Sequence, residues 1–314
     1  MNIQWSGPVG GIGNRMLALA AASSLVKLLQ SEIHFNWAEE PRCKCEYDEV
    51  FGEMPGLMVD RIESSGYSRI ETGWKDPDGI LKGFEEILHI KLDEETYYYQ
   101  FLKSLRDLNY SEYVREQLSR CLKKCQGNYN LALHIRRTDR IVHHKKVYKH
   151  GFDAINIIRN TGIKKSIQYL FLPESVISQL ENRYFTDILK KNFSNFPDST
   201  YSLYCDSRDE LESTLQYFRN AGIPDQHYLM SYCADPKNEC WGEFGIRKTS
   251  MRDALVELLE MSKSSWIAQN NRASTFSVVA AIIGRIKIIS QTPAHKFWRR
   301  IKAILGESPN TIST

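Results

Sequence analysis

The chain has 314 residues, with 41 Lys and Arg against 38 Asp and Glu, for a formal net charge of +3. A balance this close to neutral excludes a bulk electrostatic grip on nucleic acid, so an anionic partner must be held locally. Hydrophobic content of 42% and charged content of 25% exclude a disordered chain, and at ~150 residues per domain the length allows two domains.

In chain order, residues 2–5 read as a short strand and residues 6–13 as a glycine-dense turn. Residues 14–29 form a helix pattern, with Leu17, Ala20, Ala21, Ser24, Leu25 and Leu28 spaced by threes and fours. Residues 32–37 are a second strand, so the chain opens as a parallel α/β unit. Residues 85–124 are largely helical and polar, and the domain boundary is expected at 127/128. The rhythm then restarts. Residues 129–135 (YNLALHI) read as a buried strand and 202–205 as another, with a helix over 207–220 that Asp206 or Ser207 can cap. A helix over 250–263, a strand over 266–268, a helix over 275–283 and a strand over 286–289 complete the expected sheet. The chain thus divides into an N-terminal α/β domain (1–127), a Rossmann-like domain (128–290) and a C-terminal tail (291–314), with a cleft between the domains as the default ligand site.

Seven cysteines is an odd count and none forms a CxxC, which argues for reduced thiols rather than a disulfide framework or structural zinc. The apolar stretches 16–29 and 276–289 are interrupted and fall short of the ~20 residues that span a bilayer. Arg15 before an apolar run imitates a signal peptide, but no A-x-A site follows, and the expected compartment is the cytoplasm. Residues 293–305 form a basic amphipathic helix pattern, with Phe297, Trp298, Ile301 and Leu305 on one face. Such a helix either packs across the domains or makes peripheral contact with an anionic membrane.

Three segments carry chemistry. The first is Gly10-Gly11-Ile12-Gly13-Asn14-Arg15, where a glycine turn opens a helix whose N–H groups can face an anion. A dinucleotide fingerprint needs a third glycine where Met16 stands, so an NAD-dependent oxidoreductase, with Glu39 or Glu40 on the ribose, is a disfavoured alternative. A tight turn without a ligand is the plainer one. The second is His134-Ile135-Arg136-Arg137-Thr138-Asp139-Arg140, directly after a strand, where ligands of α/β domains bind. Its arginines suit phosphate oxygens, and Asp139 can orient one of them; otherwise the run is a solvated charge cluster. The third joins Thr249, Ser250 and Asp253 as helix-start residues to Glu257 and, downstream, to Ser274 and Thr275. Glu257 can face inward and accept hydrogen bonds from guanine N1–H and N2–H2, or lie exposed. Ser274 and Thr275 can bind phosphate, though simple capping of the next helix is the safer expectation.

Together these segments resemble the fucosyltransferase superfamily of α-1,6-fucosyltransferases, Nod-factor fucosyltransferases and protein O-fucosyltransferases. The pattern is GG-x-GNR, then HIRRTD, then R-x-T…DAL-V-[DE]-LL…S-[ST]-F-S; residues 41–124 and 147–200 carry no resemblance. The resemblance implies a GT-B fold, two Rossmann-like domains facing across a cleft, and inverting transfer from a GDP-sugar, GDP-fucose above all, to a glycan. It implies donor contacts from Gly11, Gly13, Asn14, Arg15, His134, Arg136, Arg137, Asp206, Glu257, Ser274 and Thr275, with Arg136 on the β-phosphate. The resemblance implies a metal-independent displacement, so no metal is expected; the family's paired aspartates appear here as Asp206-Ser207. Where some members have a catalytic glutamate, counting gives His144, which is either the base or a loop residue. A silent nucleotide-sugar-binding protein is the remaining alternative.

Overall fold

The computed structural model describes residues 3–6, 11–37, 43, 45–60, 68–71, 77–122, 129–135, 174–205, 208–232, 250–270 and 274–290. In the N-terminal half, β1 (Ile3–Ser6), β2 (Ile33–Asn36), β3 (Leu57–Asp60) and β4 (Ser68–Glu71) form a parallel sheet in the order β3-β2-β1-β4. Helix α1 (Ile12–Leu29) is the crossover from β1 to β2. Its alanines favour helix, and it stops where Gln30 turns left-handed (φ 49°) and donates its N–H to Val26. The short α2 (Tyr47–Val50) precedes β3.

The expected helical tract over 85–124 is broken into three. These are α3 (Pro77–Leu88), α4 (Glu94–Arg106) and α5 (Glu112–Leu122). His89, at φ 51°, stands just beyond α3. Asp93 starts α4 by accepting from the Thr96 N–H at 2.8 Å, a side-chain cap that outcompetes helix continuation.

The second half holds a parallel sheet in the order β7-β6-β5-β8-β9. Its strands are β5 (Asn130–Ile135), β6 (Thr200–Cys205), β7 (Tyr228–Leu229), β8 (Trp266–Gln269) and β9 (Lys287–Ser290). Its helices are α6 (Glu174–Asn195), α7 (Arg208–Asn220), α8 (Met251–Met261) and α9 (Thr275–Gly284). All six residues of β5 are buried, as its continuous apolar run requires. Ser250 caps α8 and accepts from the Asp253 N–H at 3.0 Å, which puts Asp253 at the third helical position. The expected boundary at 127/128, the capping of α7 by Asp206 or Ser207 and the helix over 293–305 lie outside the described residues.

The two halves share one hydrophobic core. Met16, Leu17 and Leu25 of α1 and Phe101 of α4 belong to the same buried cluster as Leu255, Leu258, Val279 and Ala280 of α8 and α9. Polar bonds reinforce it. Asp253 Oδ1 accepts from Tyr113 of α5 at 2.7 Å and from Tyr232 at 3.1 Å, while the Arg252 guanidinium lies 4.1 Å from the Tyr113 ring centre. Burial, followed by the neighbouring Tyr113 hydroxyl, raises the Tyr232 phenol above its ordinary range, so it stays a donor. Arg106 Nε of α4 donates to the Ile282 carbonyl of α9 at 3.2 Å. Helix α1 is the one described helix long and apolar enough to cross a membrane, yet 78% of it is buried inside the fold. It is a core helix here.

Candidate active site

Parallel α/β sheets gather ligand-binding groups at the carboxyl ends of their strands and the facing helix N-termini. Here the N-termini of α1 and α9 meet. A methyl group on Gly13 would lie 3.3 Å from the Phe276 nitrogen and from the Thr275 carbonyl carbon, whereas one on Gly11 would meet nothing within 4 Å. The two helix starts therefore pack closely at Gly13, with little room for a side chain. Gly11 leaves open space beside them.

Both sides of this junction carry an unsatisfied polar atom. Asn14 Oδ1 and Ser274 Oγ are buried without a hydrogen-bond partner, and Ser274 is fully buried. The expectation that Ser274 simply caps α9 is corrected. It occupies the N-cap position (φ −73°, ψ 101°), but its side chain makes no capping bond. A stranded buried polar group costs about 1–3 kcal/mol, so a hydrogen bond made to either atom would recover part of that cost. Two helix N-termini with free backbone donors suit an anion. Thr275, partly buried, opens the same turn.

His134 is the penultimate residue of β5, 7% exposed, beside Gln269 of β8. Its ring stacks on Phe276 with centres 5.3 Å apart, and its Nδ1 lies 3.2 Å from Ser277 Oγ. Ser277 donates to Gln269 Oε1. Next along the chain, Asn270 donates to buried Glu181 of α6 at 2.9 Å. Ser277 closes the S-[ST]-F-S pattern, whereas Gln269, Asn270 and Glu181 lie outside every motif of the sequence. The polar pair Gln269-Asn270 closing an apolar strand was the available signal.

Glu257 is 7% exposed on α8, so the inward-facing expectation holds against the exposed one. Its carboxylate and that of Glu260 lie near Tyr228 of β7, whose phenol is pushed up to about 12 by burial and then by these two charges. Glu260 itself accepts from the Tyr232 N–H at 2.9 Å. Glu257 thus lies toward the β7 edge of the sheet. Arg15 follows Asn14 in the first turn of α1. It is 1% exposed, with its guanidinium 4.6 Å from the Trp37 ring centre, on the N-terminal core side. Its side chain makes a cation–π contact there. Arg136, Arg137, His144 and Asp206 lie outside the described residues. An open groove of about 510 Å³ between the C-terminal ends of α1 and α4, lined by Val26, Met54 and Leu108, is at the opposite end of the N-terminal sheet.

No protein-family model and no curated protein matches the chain. Solved structures do. NodZ α-1,6-fucosyltransferase co-crystallized with GDP is 13% identical, with 94% of this chain and 96% of that one covered at a TM-score of 0.50. POFUT1 in complex with GDP is 12% identical, with 92% and 97% covered, also at 0.50. The chain has the GT-B fold of these fucosyltransferases. That likeness concerns architecture; chemistry must be argued from the site.

Proposed function

We propose that the protein is a glycosyltransferase that uses a GDP-sugar, with GDP-fucose as the leading donor, to glycosylate a glycan hydroxyl with inversion. The observation that carries this reading is the junction of the α1 and α9 N-termini, with Asn14 Oδ1 and Ser274 Oγ buried and unpartnered beside it. A diphosphate supplies the charge that helix N-termini favour and oxygens that accept from the Ser274 hydroxyl, while the accepting Asn14 Oδ1 suits a hydroxyl of the sugar or ribose. Buried Glu257 can accept the two N–H groups of guanine, which uracil and adenine do not offer in that pattern.

In this reading the acceptor hydroxyl attacks the anomeric carbon as the bond to the diphosphate oxygen breaks. The hydroxyl proton passes to a base, for which His144 is the candidate. Charge grows on the departing phosphate, where Arg136 and the helix dipoles stabilise it more in the transition state than in the ground state. Arg137 and Asp206 are assigned to the same pocket by the sequence resemblance. With arginine in this role the reaction needs no divalent ion, and the enzyme works in the cytoplasm. A second reading, a nucleotide-sugar-binding protein without turnover, is favoured by the histidine at 144 where related enzymes have a carboxylate.

Calorimetry with GDP, UDP and NAD, followed by a screen of GDP-sugars on a small glycan panel, tests both. GDP binding with donor turnover supports the transferase, and GDP binding without it supports the silent binder. A preference for UDP or NAD overturns both. Arg136→Ala is expected to abolish turnover with the fold intact; wild-type turnover in that variant removes arginine from the mechanism.

A further inference from the structure

The groove between the C-terminal ends of α1 and α4 has no part in the function proposed above. Its volume of about 510 Å³ falls within the ~300–1,000 Å³ of small-molecule pockets. The floor is apolar, formed by Val26, Met54 and Leu108, which the fold keeps largely from solvent. Asn109 Nδ2 donates to the Glu53 carbonyl at 2.9 Å, which draws the segments bearing Glu53 and Asp107 together along one side.

The charge around this floor is lopsided. Glu32, Glu53 and Asp107 line the groove against one cation, Lys27, although the whole chain carries a net charge of +3. Two helix ends add to the imbalance. Lys27 and Gln30 stand at the end of α1, and Ser104 and Asp107 at the end of α4. A helix carboxyl terminus carries about half a negative charge. Lys27 answers that field: its Nζ reaches from α1 to α4 and donates to Ser104 Oγ at 3.3 Å. An ammonium on an aliphatic stem is thus already at home between the two helix ends.

We propose that the groove binds a small aliphatic amine, with its alkyl chain on Val26, Met54 and Leu108 and its ammonium among the carboxylates. An anion of the same size is repelled, and a neutral alcohol gains the apolar contact alone. Lys27 opposes the ligand with a charge of the same sign, so removing that charge tightens binding. The site does not rest on the GDP-sugar reading. It lies at the C-terminal end of α1, whereas the helix junction lies at the N-terminal end, and the two ligands do not compete.

Titration of the full chain with hexylammonium, 1-hexanol and hexanoate, followed by amide 1H–15N shifts, tests this. Hexylammonium is expected to bind with shifts at Gly56 and Asn109, hexanol about tenfold more weakly, and hexanoate not at all. That ratio corresponds to about two exposed ion pairs, so added salt should weaken the amine and spare the alcohol. Lys27→Gln is expected to raise amine affinity by about threefold, a gain that misfolding cannot imitate. Glu53→Gln combined with Asp107→Asn should bring the amine down to the level of the alcohol. All three side chains are exposed, so the core is left alone. Saturating GDP should leave amine affinity unchanged. Equal affinity for amine and alcohol, unchanged or weaker amine binding in Lys27→Gln, or competition with GDP overturns the proposal.

Discussion

Gly13 of α1 and Phe276 of α9 approach so closely that a β-carbon on the glycine would stand 3.3 Å from the Phe276 backbone nitrogen. The two residues are far apart in sequence and belong to different halves of the chain. Their contact brings both helix N-termini to one point.

Gly13→Ala should be tolerated with a shift of a few tenths of an ångström, whereas Gly13→Val adds two methyl groups that the backbone of α9 cannot avoid. Overpacking of this kind costs about 1–3 kcal/mol. Calorimetry should show GDP affinity reduced by roughly tenfold or more in Gly13→Val, since the N–H groups no longer converge, and little changed in Gly13→Ala.

Ser274 separates a ligand-binding hydroxyl from a structural one. Its Oγ has no protein partner, so Ser274→Ala removes a stranded polar atom and should leave urea stability unchanged or raised by about 1 kcal/mol. Affinity for GDP should fall by about tenfold in the same variant. Loss of stability with retained affinity would assign the serine to the scaffold.

Glu257→Gln keeps the volume of the buried side chain and replaces one accepting oxygen with a donor. The two-bond match to guanine is broken, and the preference for GDP over UDP should shrink by roughly ten- to a hundredfold. Parallel titrations of the variant with both nucleotides measure it.

Asp93 gives a pH signature. The Thr96 hydroxyl and then the Thr96 N–H hold its carboxyl below the ordinary value. A depressed folded-state pKa contributes stability that is complete above the unfolded value, ~3.9, and is lost as pH falls through the folded one. The stability gap between wild type and Asp93→Ala should therefore be present at pH 7 and close progressively below about pH 4. Urea melts across that range are the measurement.

Much of this was written where local chemistry and tertiary environment agree. The glycine turn before α1, the apolar run of β5 and the Ser250 cap of α8 each have one cheap conformation, and each is found. Strands β3 and β4 are four residues long, and Ser68-Arg69-Ile70-Glu71 has only one apolar side chain. Pairing with neighbours, not pattern, makes them strands. Helix α6 has a readable stripe in Phe185 and Leu189, but no motif drew attention to it. At the site, residue types were visible and their partners were not. Whether Ser274 caps its helix depends on backbone angles, and whether Arg15 reaches a ligand depends on Trp37 standing beneath it. Neither is a local property.

The burial of α1 also bears on how the protein is made. During synthesis this apolar rod emerges well before α8 and α9, which cover it and begin at Met251 and Thr275. Contacts of such long sequence separation form late. The nascent chain must therefore carry an uncovered greasy surface until α8 and α9 leave the ribosome, a state that invites chaperones. For the same reason the halves should not survive separation: expressed alone, residues 1–127 should aggregate, and co-expression of the two pieces should rescue solubility only if they meet before that happens.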